Sequence, residues 1–209
     1  MQPGNTRSRA SVTEFLGLRR NVVMLLAMIV FIGMGEKVWL RFVPKLLEAL
    51  GAGPITIGIY GALEIVVGAV YALPGGYVTD RLGPRKSLIV FAVINLVGYA
   101  LILVAHHAWV VLLASFFFMA WSSLALPATF AVVAHALPQG KRTMGIAVQS
   151  MVRRLPRGLG PVIGGILVHH FGIVYGVKVG VVCAVALTLV AVWFQWRYAH
   201  AEDVPGYQA

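Results

Sequence analysis

Long apolar stretches, separated by short clusters of polar, glycine and proline residues, set the pattern of this chain. Six stretches stand out, at about 21–43, 55–76, 87–105, 108–135, 144–170 and 173–197. A helix crosses a membrane with about 20 apolar residues, and each stretch is near or above that length. In hydrocarbon only helices and closed barrels satisfy the backbone, and these runs are too long and too uniformly apolar for barrel strands. The pattern therefore predicts an all-α membrane protein with six transmembrane helices. Gly51-Ala52-Gly53-Pro54, Gly83-Pro84, His106-His107, Leu137-Pro138-Gln139-Gly140 and Phe171-Gly172 mark the connections. The expected organisation is a segment 1–20, a six-helix bundle 21–197 and a polar tail 198–209. The first segment has no apolar core followed by a small-residue cleavage site, so no cleavable signal peptide is expected.

Composition agrees with this reading. The 209 residues are 59% hydrophobic and 11% charged, where a soluble domain carries roughly a quarter charged residues. In a soluble protein the net charge of +10 would point to nucleic acid. The location of the charges changes that inference. With the N-terminus inside, Arg7, Arg9, Arg19, Arg20, Arg81, Arg85, Lys86, Lys141, Arg142 and Arg197 fall on the inner side, against Lys45 outside. This is a positive-inside distribution, with both termini cytoplasmic and no nucleic-acid partner. Trp193, Trp196 and Tyr198 close the last stretch as an interfacial belt would, and Trp109 opens the fourth. The single cysteine, Cys183, allows no internal disulfide and is expected to be a buried, inert thiol. The histidines lack metal-ligand spacing, and there is no nucleotide-binding glycine loop or hydrolytic constellation. Neither a metal, a cofactor nor an enzymatic activity is expected.

Six basic residues remain inside the stretches: Lys37, Arg41, Arg153, Arg154, Arg157 and Lys178. Only Glu36 and Glu64 oppose them there. A charge near the membrane centre costs about 3 kcal/mol or more. The imbalance points to an anionic solute or to an acidic group from a partner helix. On an ideal helix Arg153 and Arg157 lie one turn apart, sharing a face with Gln149, Gly160 and Gly164. Arg154 lies to one flank, and Pro156 is placed to kink the helix. Lys37 and Arg41 are also one turn apart. Arginine forks match phosphate, carboxylate or sulfate oxygens. Snorkelling to the interfaces is the alternative for Arg153, Arg154, Arg41 and Lys178. Glu64 fits a structural ion pair with Lys37 or a fifth-helix arginine, or a proton-coupling group, and Glu36 resembles a second such partner. Tyr60, Tyr71, Asn95, Trp121, Ser122, Ser123 and Thr129 are further polar candidates.

Between the second and third stretches the chain reads Gly75-Gly76-Tyr77-Val78-Thr79-Asp80-Arg81-Leu82-Gly83-Pro84-Arg85-Lys86. This resembles the signature loop of the Major Facilitator Superfamily, with Gly76, Asp80, Arg81, Gly83, Arg85 and Lys86 on its key positions. Gly160-Pro161-Val162-Ile163-Gly164-Gly165 is similar to an element that many antiporters of the superfamily carry in the fifth helix. An arginine that the family often places early in the fourth helix is absent here.

The resemblance implies one half of a two-bundle transporter, built from two inverted three-helix repeats and working by alternating access. It covers one bundle only. A second copy, or a different half, is the expected partner alongside membrane lipids, in a plasma or bacterial-type inner membrane. The signature would act as a cytoplasmic latch, with Asp80 meeting the fifth helix of the partner. Gly172, Gly176 and Gly180, and Gly160 and Gly164, have the small-xxx-small spacing of a helix interface. Other readings are a non-transporting module that binds lipid or protein, and an N-terminal piece of a full-length transporter.

Overall fold

The computed structural model describes residues 20–125, 129 and 142–199, and its regular elements are all helices. Residues 1–19, the expected connection Leu137-Pro138-Gln139-Gly140, Lys141 and the tail from residue 200 lie outside the described residues. The helices are α1 (Arg20–Leu40), α2 (Val43–Ala49), α3 (Pro54–Leu82), α4 (Pro84–Leu103), α5 (Ala108–Phe118), α6 (Arg142–Val152) and α7 (Arg154–Ala199). After a turn at Met119, the α5 path continues to Ala125.

Four stretches of the described residues are long and apolar enough to cross a membrane: Pro54–Leu82, Lys86–Leu103, Ala108–Ala125 and Thr143–Phe194. The last has 52 residues. A straight helix of that length would run about 78 Å, more than twice the hydrocarbon thickness. Gly172 prevents this, because its φ of 76° and ψ of 171° are not helical. A side-chain carbon at Gly176 would lie 2.7 Å from the Val168 Cα. Residues eight apart on a straight helix are about 12 Å apart. The chain therefore folds back at Gly172, and α7 is a hairpin of two arms.

The hairpin grips α1. On the first arm, Gly160 meets Lys37 and Gly164 meets Val38, a parallel register. On the second arm, Ala184 meets Gly35 and Gly180 meets Trp39, an antiparallel register. The glycines expected to face a second bundle thus pack within this one, and Gly172 forms the turn. The reason is steric: a side chain at Gly164 would sit 1.7 Å from the Val38 carbonyl oxygen.

Two apolar clusters fill the interior. One holds Met28, Ile29 and Ile32 with Leu88, Phe91 and Trp121. The other holds Trp39, Val43 and Leu47 with Tyr99, Phe118 and Val181. Buried polar residues interrupt α1, α4 and the second arm of α7 between these clusters: Glu36, Asn95 and Thr188. By contrast α3 is peripheral, with Ile65 and Leu73 facing outward. Cys183 is exposed rather than buried, because the second arm turns Gly180 and Ala184 toward α1 and leaves position 183 outside.

Candidate functional site

The site begins where α1 ends. Pro44 lies in the first turn of α2, one turn after Leu40, and the Phe42 N–H bonds back to the Trp39 carbonyl at 2.8 Å. That tight turn leaves Arg41 exposed. Facing it, α3 presents Tyr60 and Glu64, one turn apart, and the first arm of α7 presents Arg157 and Pro161, also one turn apart. With Lys37, Leu40 and Pro44 these residues line an open groove of about 370 Å³. Small-molecule sites span about 300–1,000 Å³. Three basic groups and one carboxylate share its wall. Pro161 has no N–H to donate to the Arg157 carbonyl, which softens the helix beside the arginine.

Lys37 belongs to two environments. It lines the groove, and its Nζ lies 3.0 Å from Glu36 Oε1 on the buried side of α1. Lys37 is 24% exposed at its side chain and Glu36 only 4%. Ser122 Oγ donates to the same Glu36 oxygen. A buried carboxylate is tolerated only with such partners. Glu64, expected as a partner for Lys37, is exposed in the groove and makes no ion pair among the described residues. The nearer carboxylate, adjacent in sequence, takes the lysine instead.

The other intramembrane bases lie elsewhere. Arg153 is half-buried at the turn between α6 and α7, and its Nη2 donates to Thr129 Oγ1. Arg154 is exposed and Lys178 half-buried, and neither lines the groove. The face shared by Gln149, Arg153, Arg157, Gly160 and Gly164 is not an open wall. Gln149 is buried, Gly160 and Gly164 seat on α1, and Arg157 reaches the groove from the edge of that face. The helix breaks at Arg153 because Pro156 cannot donate to the Val152 carbonyl. Gly165, the remaining member of the fifth-helix element, lies half-buried near Phe42.

The signature residues form helix ends rather than a loop. Gly75, Gly76, Asp80 and Arg81 lie within α3, Lys86 within α4, and Gly83, with φ 78°, is the whole connection. Gly75 allows α3 to cross the continuation of the α5 path beyond Met119, since a side-chain carbon there would lie 3.0 Å from the Leu124 Cα. Thr79 Oγ1 donates to the Gly75 carbonyl at 2.6 Å, and Ser87 Oγ donates to the Gly83 carbonyl at 2.8 Å. The Arg81 guanidinium stacks over the Tyr77 ring at 4.8 Å, and Asp80 is exposed. The Arg85 side chain lies outside the described residues.

Sequence reasoning missed Pro44 as a groove wall and Thr188 in the buried polar layer. Pro44 was signalled by its place three residues after Arg41. Thr188, uncharged within an apolar run, gave no signal. Among the described residues no cluster of histidine, cysteine, aspartate or glutamate could hold a metal ion. The family model of the Major Facilitator Superfamily matches residues 9–208.

Proposed function

The chain belongs to the Major Facilitator Superfamily, a family of transporters, and from that premise we propose that it is half of a secondary transporter for a small anion. It is an integral membrane protein, as its apolar helices and its family require. The observation that carries the anion reading is the groove itself. Lys37, Arg41 and Arg157 converge on one small space whose lining carries a single carboxylate, Glu64, while Glu36 holds Lys37 from behind. Like charges held close together repel, and a bound anion offsets that cost. Guanidinium forks on two walls suit a carboxylate, phosphate or sulfate group.

The proposed architecture is six crossings arranged as two inverted three-helix repeats, with both termini cytoplasmic in a plasma or bacterial-type inner membrane. The groove is open, so alternating access requires a second bundle opposite it. A second copy of the chain is the simplest source, since closed two-fold pairing is the commonest symmetry. Ile65 and Val162, beside groove residues on α3 and α7, are exposed and apolar, a surface that suits lipid or a partner helix equally. In this reading Asp80, Arg81, Gly83, Arg85 and Lys86 form the cytoplasmic latch, with Asp80 engaging the partner. Exchange of a second solute, as in an antiporter, is compatible with the same cycle.

Uptake of sulfate, phosphate and small carboxylates into proteoliposomes tests the function. Saturable uptake of at least one, lost in Arg157→Ala with the protein still inserted, is the expected result. No uptake of any, with lipid contacts at Arg153 and Arg157, would favour a non-transporting module. Cross-linking in native membranes tests the pairing, and a strictly monomeric, transport-active protein would defeat it.

A further inference from the structure

We infer that Glu64 sets the specificity of the groove: among small anions it selects those that also carry an ammonium, a few bonds from the anionic group. This deepens the anion reading of the groove and rests on it. The charges of the groove are kept apart by the fold. Lys37 and Arg41 come from α1 and the turn after it, and Arg157 from the first arm of α7. Glu64 comes from α3, the sparsely packed wall. Among the described residues, the side chains of Arg41, Arg157 and Glu64 make no ion pair. Two guanidinium groups and a carboxylate thus line one groove without neutralising one another.

The same groove shows what simple neutralisation looks like. Lys37 is held by Glu36 at 3.0 Å, and that carboxylate is buried behind it. Glu64 differs on each count, being exposed, unpaired among the described residues and set on another helix. A carboxylate that only tempered the positive charge would weaken every anion alike. A carboxylate facing a space of about 370 Å³ also offers a second contact to whatever fills it. Tyr60 lines the groove one turn before Glu64. A tyrosine ring attracts a cation over its face, so ring and carboxylate together suit an ammonium.

A zwitterion satisfies both walls at once. Its carboxylate, sulfonate or phosphonate takes the guanidinium forks of Arg41 and Arg157, and its ammonium takes Glu64. A hydroxyl in place of the ammonium donates to Glu64 but brings no charge. A methyl there leaves the carboxylate without a partner and displaces its water, which costs affinity. The order of preference is therefore ammonium, then hydroxyl, then methyl, at constant anionic group. Simple anions still bind, through the bases alone.

The test measures binding of ethanesulfonate, 2-hydroxyethanesulfonate and 2-aminoethanesulfonate to the reconstituted full chain by calorimetry at neutral pH. The carboxylate pair propanoate and 3-aminopropanoate covers a groove that refuses sulfonates. In the wild type the amino compound should bind about tenfold or more tighter than its alkyl counterpart, as one charge-assisted contact implies, with the hydroxy compound between. Glu64→Gln should move the two ends in opposite directions, weakening the amino compound and tightening the alkyl one. Arg157→Ala should weaken both. Equal binding of amino and alkyl compounds by the wild type would overturn the inference while leaving the anion site intact, and needs no variant to fold. An amino preference that survives Glu64→Gln, or a variant that tightens all compounds equally, would also overturn it. Failure of all five compounds to bind would remove the anion reading, and the specificity with it.

Discussion

The seam between α1 and α7 and the helix α3 are both apolar, yet they are built for different ends. Along the seam, glycines at 35, 160, 164 and 180 bring backbones or Cβ atoms into contact from both arms of the hairpin. On α3, only 11% of the apolar stretch is buried, against 56% on the α5 path. Side chains added at Gly58, Gly61 or Gly76 would meet nothing within 4 Å. Close packing of this kind transmits strain and behaves as one body. The groove lies where the two kinds of surface meet, with Lys37, Arg41 and Arg157 from the packed side and Tyr60 and Glu64 from the sparse side. One wall of the groove is therefore fixed and the other is held by few contacts.

Substitutions along this divide can break the contrast or sharpen it. The largest effect is expected for Gly164→Ala, whose new carbon would overlap the Val38 carbonyl. Overpacking costs about 1–3 kcal/mol, occasionally more. Thermal unfolding in detergent should show a clear loss of stability, and a wild-type midpoint would mean the seam yields. Next comes Arg157→Ala, which should weaken anion binding by about tenfold or more while leaving stability near wild type, as loss of a charge-assisted contact implies. Equal binding would remove Arg157 from the site. Asp80→Asn should slow transport several-fold with little change in affinity, because Asp80 lies at the far end of α3 from Glu64. A wild-type rate would end the latch assignment. The smallest effect belongs to Gly61→Ala on α3. Unfolding should be unchanged or slightly later, since alanine favours a helix by up to about 1 kcal/mol. Loss of stability there would show that α3 is packed more closely than its exposure indicates.

Much of this arrangement was written in the sequence, because membrane length and glycine–proline punctuation are strong signals. Gly51 to Pro54, Gly83-Pro84 and Gly172 each mark a real change of direction. The signature residues also pointed to the end of α3 and the start of α4. The connection between them is shorter than a loop, the single residue Gly83, and Gly75 serves a close crossing with Leu124. Helical spacing put Arg153 and Arg157 on one face. It had no means of showing that the face was already occupied by α1, because occupancy depends on a neighbour more than a hundred residues away. Lys37 was singled out by its charge. Its pairing with Glu36 was hard to read because adjacent residues point in different directions on a helix, and only the long lysine stem brings the ammonium back.

The central claim is that the groove between α1, α3 and α7 carries an anion across the membrane. Uptake of labelled sulfate and benzenesulfonate into proteoliposomes, compared between wild type and Arg157→Ala at equal inserted protein, tests it most directly. Saturable uptake by the wild type of at least one of these anions, with near-background uptake by the variant, is the expected result. Equal uptake by both proteins, or none by the wild type, would contradict it.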